Sequence, residues 1–279
     1  MTSAGTTPRV GTEAARPTRV GVRLESHLRA RRDEGRKLLI PYVTGGMADD
    51  WSDVVDAVAD AGADAVEVGI PFSDPMIDGP VIQEASLRSL ERGTTPTSIL
   101  DALARADVDL PLCVMTYYNI AFRAGLRRFA HSLADAGVCG AILPDLPLEE
   151  AEEWCAEADD AGVATVLLVA PSTPAIRARA ICERARGFVY GVGVMGVTGE
   201  RAQLAASAGE VAARVRQLTD RPVCIGVGVS NPAQAAEACA VADGVVVGSA
   251  LVRRLLDGAG PDGAAAFVAE IRARIDEIT

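Results

Sequence analysis

The feature that most constrains the fold is an alternation of short apolar runs with longer amphipathic segments along a chain of 279 residues. Eight of the runs are apolar almost without interruption, which is typical of strands buried on both faces of a parallel sheet. These predicted strands are Leu38–Val43, Ala65–Gly69, Leu112–Thr116, Gly140–Leu143, Thr165–Val169, Phe188–Val192, Val223–Ile225 and Gly244–Val247.

The segments between the runs have the spacing of helices. In residues 50–61, four apolar side chains share one helix face at positions i, i+3, i+4 and i+7, namely Trp51, Val54, Val55 and Val58. Several predicted helices end just before a strand in the sequence Asp-Ala-Gly, at residues 60–62, 135–137 and 160–162, with Ala-Asp-Gly at 242–244 as a looser copy. Glycine just past a helix end adopts the left-handed conformation that stops the helix.

Strand–helix units with such short joints predict an α/β fold, a (β/α)8 barrel that forms a single domain over residues 19–279. An open, doubly wound sheet is the alternative. A helix within Val20–Gly35 comes before the first strand, and we expect it to cap the bottom of the barrel. Residues 1–18 lack the apolar stretch of a secretory signal and are predicted to form a disordered tail.

Composition excludes several classes of function. The net charge of −11 argues against nucleic acid or an anionic membrane as a partner. No apolar run approaches the roughly 20 residues that a membrane helix needs. The six cysteines are not spaced as Cys-x-x-Cys, so we expect buried free thiols in a reducing cytoplasm. The two histidines, His27 and His131, lie in helical segments, which excludes a histidine-based metal site.

Residues 65–83, AVEVGIPFSDPMIDGPVIQ, carry two carboxylates in unusual places. Glu67 lies in a predicted strand among apolar residues, and Asp78 lies in the loop that leaves this strand, where barrel enzymes build their active sites. Burial of an unpaired charge is costly, so the two carboxylates are candidates for an acid/base pair. Structural explanations stay open: Glu67 can pair with a buried arginine, and Asp78, like Asp145 of the LPDLP sequence, can be a turn residue.

Glycines follow the last three predicted strands. They occur in Gly196-Val197-Thr198-Gly199, in Gly226-Val227-Gly228 and in Gly248-Ser249, where a helix begins. Glycine lets backbone N–H groups approach an anion closely, and a helix N-terminus adds a favourable dipole. Because barrels often bind phosphate after strands seven and eight, this pattern predicts a phosphate site held by backbone groups.

The residues present exclude two common mechanisms of carbon–carbon bond cleavage. A Schiff-base aldolase needs a lysine at the top of a strand, but the single lysine, Lys37, precedes the first strand and falls at the barrel bottom. Clustered His or carboxylate ligands for a catalytic metal are missing. The mechanism that remains is acid/base catalysis by carboxylates. The phosphorylated substrate itself must then accept the electrons of the bond that breaks.

Several motifs resemble one known family, the tryptophan synthase alpha subunit, from about Glu25 to the C-terminus. They are VEVGIPFSDPMIDGPVIQ, MTYYN (115–119), LPDLP (143–147), MGVTG (195–199), GVGVS (226–230) and VGSALV (247–252). The resemblance implies a (β/α)8 barrel without a cofactor. It also implies the reversible retro-aldol cleavage of indole-3-glycerol phosphate to indole and glyceraldehyde 3-phosphate, in which the indole ring accepts the electrons.

The resemblance also implies roles for individual residues. Glu67 would protonate ring carbon C3 and take the proton of the glycerol hydroxyl, while Asp78 would hold the indole N–H. The substrate-binding residues would be Tyr117 and Tyr190 in the pocket, Tyr42 and Met115 in its apolar wall, Thr198 in a lid, and Gly199, Gly228, Gly248 and Ser249 at the phosphate. Asp74 and Pro75 would contact a beta subunit in an alpha2beta2 heterotetramer.

Three other interpretations remain open from the sequence. The chain can be a freestanding indole-3-glycerol phosphate lyase of specialised metabolism, because stretches near the lid, such as residues 191–194, depart from the family pattern. It can be a catalytically weak paralogue that activates a beta subunit. An isomerase or epimerase of sugar phosphates is the third, since a barrel and a phosphate site do not fix the chemistry.

Overall fold

The chain folds into a closed barrel of eight parallel strands. The computed structural model describes residues 24–193, 201–226 and 228–278, with the backbone alone for 201–208. The strands are β1 (Leu38–Thr44), β2 (Val66–Gly69), β3 (Leu112–Met115), β4 (Val138–Ile142), β5 (Ala164–Val169), β6 (Val189–Val192), β7 (Val223–Gly226) and β8 (Gly244–Val247). Each strand pairs with the next, and β8 pairs with β1. This closure confirms the barrel and excludes the open sheet.

Helices surround the barrel. Within the described residues they are α1 (Leu24–Asp33), α2 (Trp51–Asp60), α3 (Pro80–Glu91), α4 (Pro96–Arg105), α5 (Tyr118–Ala124), α6 (Leu126–Asp135), α7 (Glu152–Ala161), α8 (Ala175–Arg184), α9 (Arg201–Arg216), α10 (Pro232–Val241), α11 (Ser249–Leu256) and α12 (Gly260–Asp276), with a 3-10 turn at Leu148–Glu150. The predicted face of α2 is buried as expected, since Trp51, Val54, Val55 and Val58 all belong to the main core.

The first helix closes the N-terminal end of the barrel, as predicted. Leu24 and Leu28 of α1 are fully buried against side chains of the barrel interior. The Glu25 carboxylate accepts a hydrogen bond from the Gly187 N–H, just before β6, at 3.2 Å. The opposite, C-terminal end of the strands, which we call the mouth, stays clear of α1 and is the end at which barrel enzymes build their active sites. The predicted tail, residues 1–18, lies outside the described residues.

At three of the four predicted helix-to-strand joints, the glycine has the left-handed conformation that ends a helix. Gly62, Gly137 and Gly162 have φ angles of 106°, 75° and 75°, in the region that favours glycine. The prediction of a looser copy at residues 242–244 is wrong: Gly244 is extended and begins β8. A Cβ on Gly244 would lie 2.6 Å from the Leu38 carbonyl oxygen, so glycine is needed there for the close approach of β1.

Candidate active site

Glu67 lies inside the barrel near its mouth. It is the second residue of β2, where it pairs in register with Tyr42 of β1 and Cys113 of β3. The side chain is only 1% exposed, and its Oε2 atom accepts no hydrogen bond from the residues that the structure describes. Within the same residues Glu67 forms no ion pair with an arginine or lysine. The buried-pair explanation for Glu67 therefore finds no support here.

This environment favours a protonated carboxyl group. Burial removes the water that would stabilise the anion, and the negative charge of Asp78 disfavours a second negative charge nearby. Together they raise the pKa of Glu67 to about 8. At neutral pH the side chain therefore holds a proton that it can donate, and its conjugate base is strong enough to take one back.

Asp78 is held by contacts with the β3 end and with its own loop. The Tyr117 hydroxyl donates to Asp78 Oδ2 at 3.2 Å and accepts from the Ile77 N–H at 3.0 Å. The Gln83 amide, one turn into α3, donates to the carbonyls of Asp78 at 2.9 Å and of Pro75 at 3.2 Å. Asp78 is thus more than a turn residue, because its carboxylate is fixed by a hydrogen bond from 39 positions away.

The two carboxylates have different environments. Burial raises the pKa of Asp78, but the hydrogen bond from Tyr117 opposes this rise by stabilising the anion. Glu67 has no such donor among the described residues. A pair of neighbouring carboxylates with unequal environments divides into one proton donor and one anion. The geometry assigns the proton to Glu67 and the charge to Asp78.

Aromatic rings form the wall around the carboxylates. The Tyr42 ring lies against Gly69 so closely that a Cβ there would be 1.9 Å from the phenol oxygen. The Tyr190 ring lies against Gly226 in the same way, with a hypothetical Cβ 2.7 Å from its hydroxyl. Burial raises the pKa of both phenols, and the charge of Asp78 raises it further, so both stay neutral. Glycine at positions 69 and 226 thus makes room for the predicted pocket residues.

The remaining predicted wall residues also lie at the mouth. Met115 is the last residue of β3, half-buried, and pairs in register with Gly69. The Tyr117 ring is buried and stacks on Phe72, with ring centroids 5.0 Å apart. The structure therefore brings together all of the predicted acid/base and aromatic residues, which are spread from position 42 to position 190 in the sequence.

Two of the three predicted glycine segments can be located. Gly228, just after β7, is exposed and has a φ of 66°, in the left-handed region that favours glycine. Gly248 is the residue before α11, which begins at Ser249 as predicted. The third segment, with Thr198 and Gly199, lies outside the described residues.

The predicted partner loop lies beside Asp78 on the surface. Asp74 is exposed and Pro75 is half-buried. The next residue, Met76, is 89% exposed, and Ile77 and Leu87 are also largely exposed. A groove of about 430 Å³ runs between this loop and α3. Large exposed apolar side chains gathered at one place are typical of a protein–protein contact.

Asp145, Lys37 and the cysteines, which the sequence analysis also discussed, have structural roles. Asp145 accepts a hydrogen bond at 2.8 Å from the Tyr118 N–H, 27 positions away, so its carboxylate connects the segment after β4 to the start of α5 and does not serve a local turn alone. Lys37 donates to the Ala242 carbonyl at the barrel bottom, as predicted. The six cysteines are free, and all but the half-buried Cys139 are buried.

The described ranges 24–193, 201–226 and 228–278 contain neither a metal-binding cluster nor a membrane-spanning helix. In those ranges, no group of three or more His, Cys, Asp or Glu side chains is placed to hold a metal ion. None of the helices found there is long and apolar enough to cross a bilayer.

Sequence reasoning missed two residues of the site. Gln83 is the last residue of the 65–83 stretch and received no role, although it fixes both ends of the Asp78 loop. Its polar side chain in the first turn of a predicted helix was the signal. Phe72 was also missed, because nothing local to its sequence shows that it stacks on a ring that lies 45 positions away.

The fold and the site define a class of protein: a (β/α)8 barrel enzyme whose mouth holds a carboxylate pair, one member of which, Glu67, has a raised pKa and no ion-pair partner in the described part of the chain. Comparison with known proteins identifies the family within this class. A family model described as tryptophan synthase alpha chain matches residues 28–276, nearly the whole chain. The chain belongs to the tryptophan synthase alpha chain family.

Individual relatives agree with this assignment. The tryptophan synthase alpha chain of Streptomyces coelicolor is 46% identical over 261 residues, which cover 89% of this chain and 94% of that one. A tryptophan synthase structure from Mycobacterium tuberculosis is 39% identical, covers 91% of this chain and 98% of its own, and has a TM-score of 0.84. The tryptophan synthase subunit alpha from Legionella pneumophila is 30% identical with a TM-score of 0.81, and the match covers 91% of this chain and 98% of that one. The alternatives of a freestanding lyase, a catalytically weak paralogue and an isomerase are not favoured by these matches.

Proposed function

We propose that this chain is the alpha chain of a tryptophan synthase, in which Glu67 and Asp78 carry out the reversible cleavage of indole-3-glycerol phosphate. The observation that carries the assignment of roles is the buried Glu67 carboxyl group, which has no ion-pair partner among the described residues and a pKa of about 8. A buried group without a partner lowers stability, so its retention at the mouth of an enzyme of this family is best explained by catalysis.

Glu67 acts as acid and then as base. Its protonated carboxyl group gives a proton to C3 of the indole ring, and the ring nitrogen takes up the positive charge. The resulting Glu67 carboxylate takes the proton from the hydroxyl on the carbon joined to the ring. The bond between that carbon and C3 breaks, its electrons return to the ring, and indole and glyceraldehyde 3-phosphate leave. Glu67 is protonated again, so no external proton is consumed.

Asp78 stabilises the charge that develops on the indole. As an anion it accepts a hydrogen bond from the indole N–H and lies close to the positive charge of the protonated ring. This charge is greatest before the carbon–carbon bond breaks. The hydrogen bond from Tyr117 opposes the rise in the pKa of this carboxylate and points it in one direction. Tyr42, Met115 and Tyr190 provide the apolar wall for the substrate.

The phosphate group is held at the other side of the mouth. Gly228 exposes its backbone at the end of β7, and the N–H groups at the start of α11, around Gly248 and Ser249, supply donors and a helix dipole. Gly199 and Thr198 would complete the site from the loop after β6. This arrangement binds a dianion without a basic side chain, which suits the acidic protein.

A beta chain is the partner, and the loop of Asp74 and Pro75 is the contact. The exposed side chains of Met76, Ile77 and Leu87 would be covered in an alpha2beta2 assembly. Because the same loop carries Asp78, partner binding can change the position of a catalytic carboxylate. The free thiols agree with a cytoplasmic enzyme, since such thiols persist in reducing compartments.

The test is turnover of indole-3-glycerol phosphate by the purified chain, alone and with a tryptophan synthase beta chain. We expect slow release of indole by the chain alone and acceleration by the partner. The Met76→Glu variant should lose most of the acceleration and keep the rate of the isolated chain. Val241→Glu, at an exposed apolar position at the opposite end of the barrel, is the matched control and should keep both.

Two outcomes would contradict this function. An isolated chain that turns over rapidly and ignores the partner would support the freestanding lyase instead. A chain that releases no indole under either condition would refute the lyase assignment itself.

A further inference from the structure

A small apolar cluster lies apart from the main core and touches three functional parts of the mouth. It consists of Tyr42, Met47, Ile82, Ala85 and Val252, all buried, and we call it the bridging cluster. Core residues pack at high density and transmit displacements, because there is no free volume to absorb them. A cluster in this place can therefore hold the parts that it touches in a fixed relative position.

The first two contacts of the cluster lead to the carboxylates. Tyr42 pairs in register with Glu67, and its phenol lies against Gly69 at the end of the same strand, β2. Ile82 and Ala85 lie in the first turns of α3, whose N-terminus follows Asp78 directly through Gly79. A shift of α3 along its axis would move Asp78 relative to Glu67.

The third contact leads to the phosphate end of the mouth. Val252 belongs to the first turn of α11, and its N–H donates to the Gly248 carbonyl at 3.0 Å. Gly248 itself lies against Tyr42, since a Cβ on this glycine would be 3.5 Å from the Tyr42 Cβ. The N-terminus of α11 therefore rests on the same side chain that faces Glu67.

A surface ion pair joins the same two helices on their outer side. Arg253 of α11 donates from Nη2 to Oε2 of Glu84 of α3 at 2.6 Å. Each of these residues is a sequence neighbour of a cluster member, Val252 or Ala85. Helices α3 and α11 are thus packed together inside and tied outside, which favours their movement as one unit.

We propose that the bridging cluster couples phosphate binding to catalysis: phosphate bound at the N-terminus of α11 fixes α3, and thereby holds Asp78 in the correct position relative to Glu67. Ile82 and Val252 are then positioning residues that touch neither the indole nor the phosphate. This inference rests on the proposed function. It explains how binding energy from a remote, unreactive group of the substrate would be used at the reacting carbon.

The coupling is tested by supplying the substrate as two separate molecules, one with the reacting carbon and one that takes the place of the phosphate group. Turnover of phosphate-free indole-3-glycerol is measured with and without saturating inorganic phosphite, for the chain in complex with a beta chain. We expect phosphite to activate the wild-type enzyme about tenfold or more, because the bound anion orders the site. In Val252→Ala the activation should fall several-fold, while the dissociation constant of phosphite changes little. Ile82→Val, a smaller change on the other helix, should act in the same direction.

The matched control is Leu251→Ala. Leu251 is the preceding residue of α11 and equally buried, but it belongs to the main core and not to the bridging cluster. This variant loses a larger apolar group, so it should unfold more easily and still keep the activation by phosphite. A general loss of stability would instead lower activation in both variants.

The outcomes separate this inference from the proposed function. If the wild-type enzyme cleaves indole-3-glycerol phosphate but phosphite does not activate the shorter substrate, the coupling is refuted. The same conclusion follows if Val252→Ala and Ile82→Val keep the full activation. If the enzyme cleaves neither substrate, the proposed function has failed as well.

Discussion

Two buried carboxylates stand three residues apart at β2 and differ in almost every contact. Asp64, at the bottom of the barrel, and Glu67, near the mouth, are each 1% exposed. Asp64 accepts from Arg36 Nε at 2.7 Å, from Arg272 Nη1 at 3.2 Å and from the Leu39 N–H at 2.8 Å. Glu67 has one oxygen atom without a hydrogen bond from the described residues and no ion pair among them.

This difference separates Asp64, a structural carboxylate, from Glu67, the carboxylate to which we assign a catalytic role. The partners of Asp64 compensate the cost of burying its charge, and they join β1, β2 and α12 at the end of the barrel that binds no substrate. The cost of burying Glu67 is left uncompensated and appears as a raised pKa. Proximity in sequence and equal burial therefore say little about role, whereas the hydrogen-bond partners decide it.

The largest effect is expected from removing the proton donor. Glu67→Gln should lose turnover of indole-3-glycerol phosphate by on the order of a hundredfold or more, as is typical of a positioned acid/base. Glu91→Gln, an exposed glutamate at the end of α3, is the control and should turn over normally. If Glu67→Gln still supported tryptophan formation from indole-3-glycerol phosphate, both the role of Glu67 and the lyase assignment would be wrong.

Asp64→Ala should show the opposite pattern. It removes the buried carboxylate that pairs with both Arg36 and Arg272, so we expect a loss of about 3–5 kcal/mol in the free energy of unfolding. The molecules that remain folded should still turn over substrate. Urea unfolding measures the effect, and Glu34→Ala, which removes an exposed pair with Arg31 at 3.8 Å, should cost less than about 1 kcal/mol. Equal stability of the two variants would contradict the structural role of Asp64.

The difference in stability between Glu67→Gln and the wild-type protein should depend on pH in a defined direction. Since the pKa of Glu67 is raised to about 8 in the folded protein from its ordinary value of 4.5, the folded state keeps a proton that the unfolded state releases between these values. The wild-type protein therefore loses stability as pH rises through this window, by up to about 1.4 kcal/mol per pH unit, and the glutamine variant does not. Urea unfolding of both proteins at pH 5 to 8 should show a widening gap in favour of the variant. A constant gap would mean that Glu67 titrates normally.

A smaller effect is expected at Tyr117. Tyr117→Phe removes the hydroxyl that donates to Asp78 and accepts from Ile77. A single hydrogen bond of this kind contributes about 0.5–1.5 kcal/mol, so kcat should fall by up to about tenfold. Tyr118→Phe is the neighbouring control, because its phenol makes neither of these contacts. Unchanged turnover in Tyr117→Phe would show that Asp78 keeps its position without this bond.

The sequence predicted those parts of the molecule that depend on local patterns. Each of the eight strands lies where an apolar run predicted it, within a few residues, because burial on both faces requires such runs. The joint at 242–244 was predicted wrongly, since glycine serves both helix ends and close contacts between strands. Residues Glu67 and Asp78 were singled out by the cost of burying charge and by their place after a strand.

The partners of the carboxylates could not be predicted from the residues alone. Arg272 lies 208 positions from Asp64, and Tyr117 lies 39 positions from Asp78. The sequence contains many arginines that could pair with either buried carboxylate. Only the folded barrel shows that two of them, Arg36 and Arg272, pair with Asp64. The bridging cluster is equally distant in sequence, because it joins β1, α3 and α11 across the closure between β8 and β1.

The most direct measurement is a titration of the Glu67 carboxyl carbon by 13C NMR, with the signal assigned by its absence in Glu67→Gln. We predict a midpoint near pH 8, with the carboxyl group protonated at neutral pH. A midpoint between about 4 and 5, the range of an ordinary glutamate, would contradict the assignment of Glu67 as the proton donor.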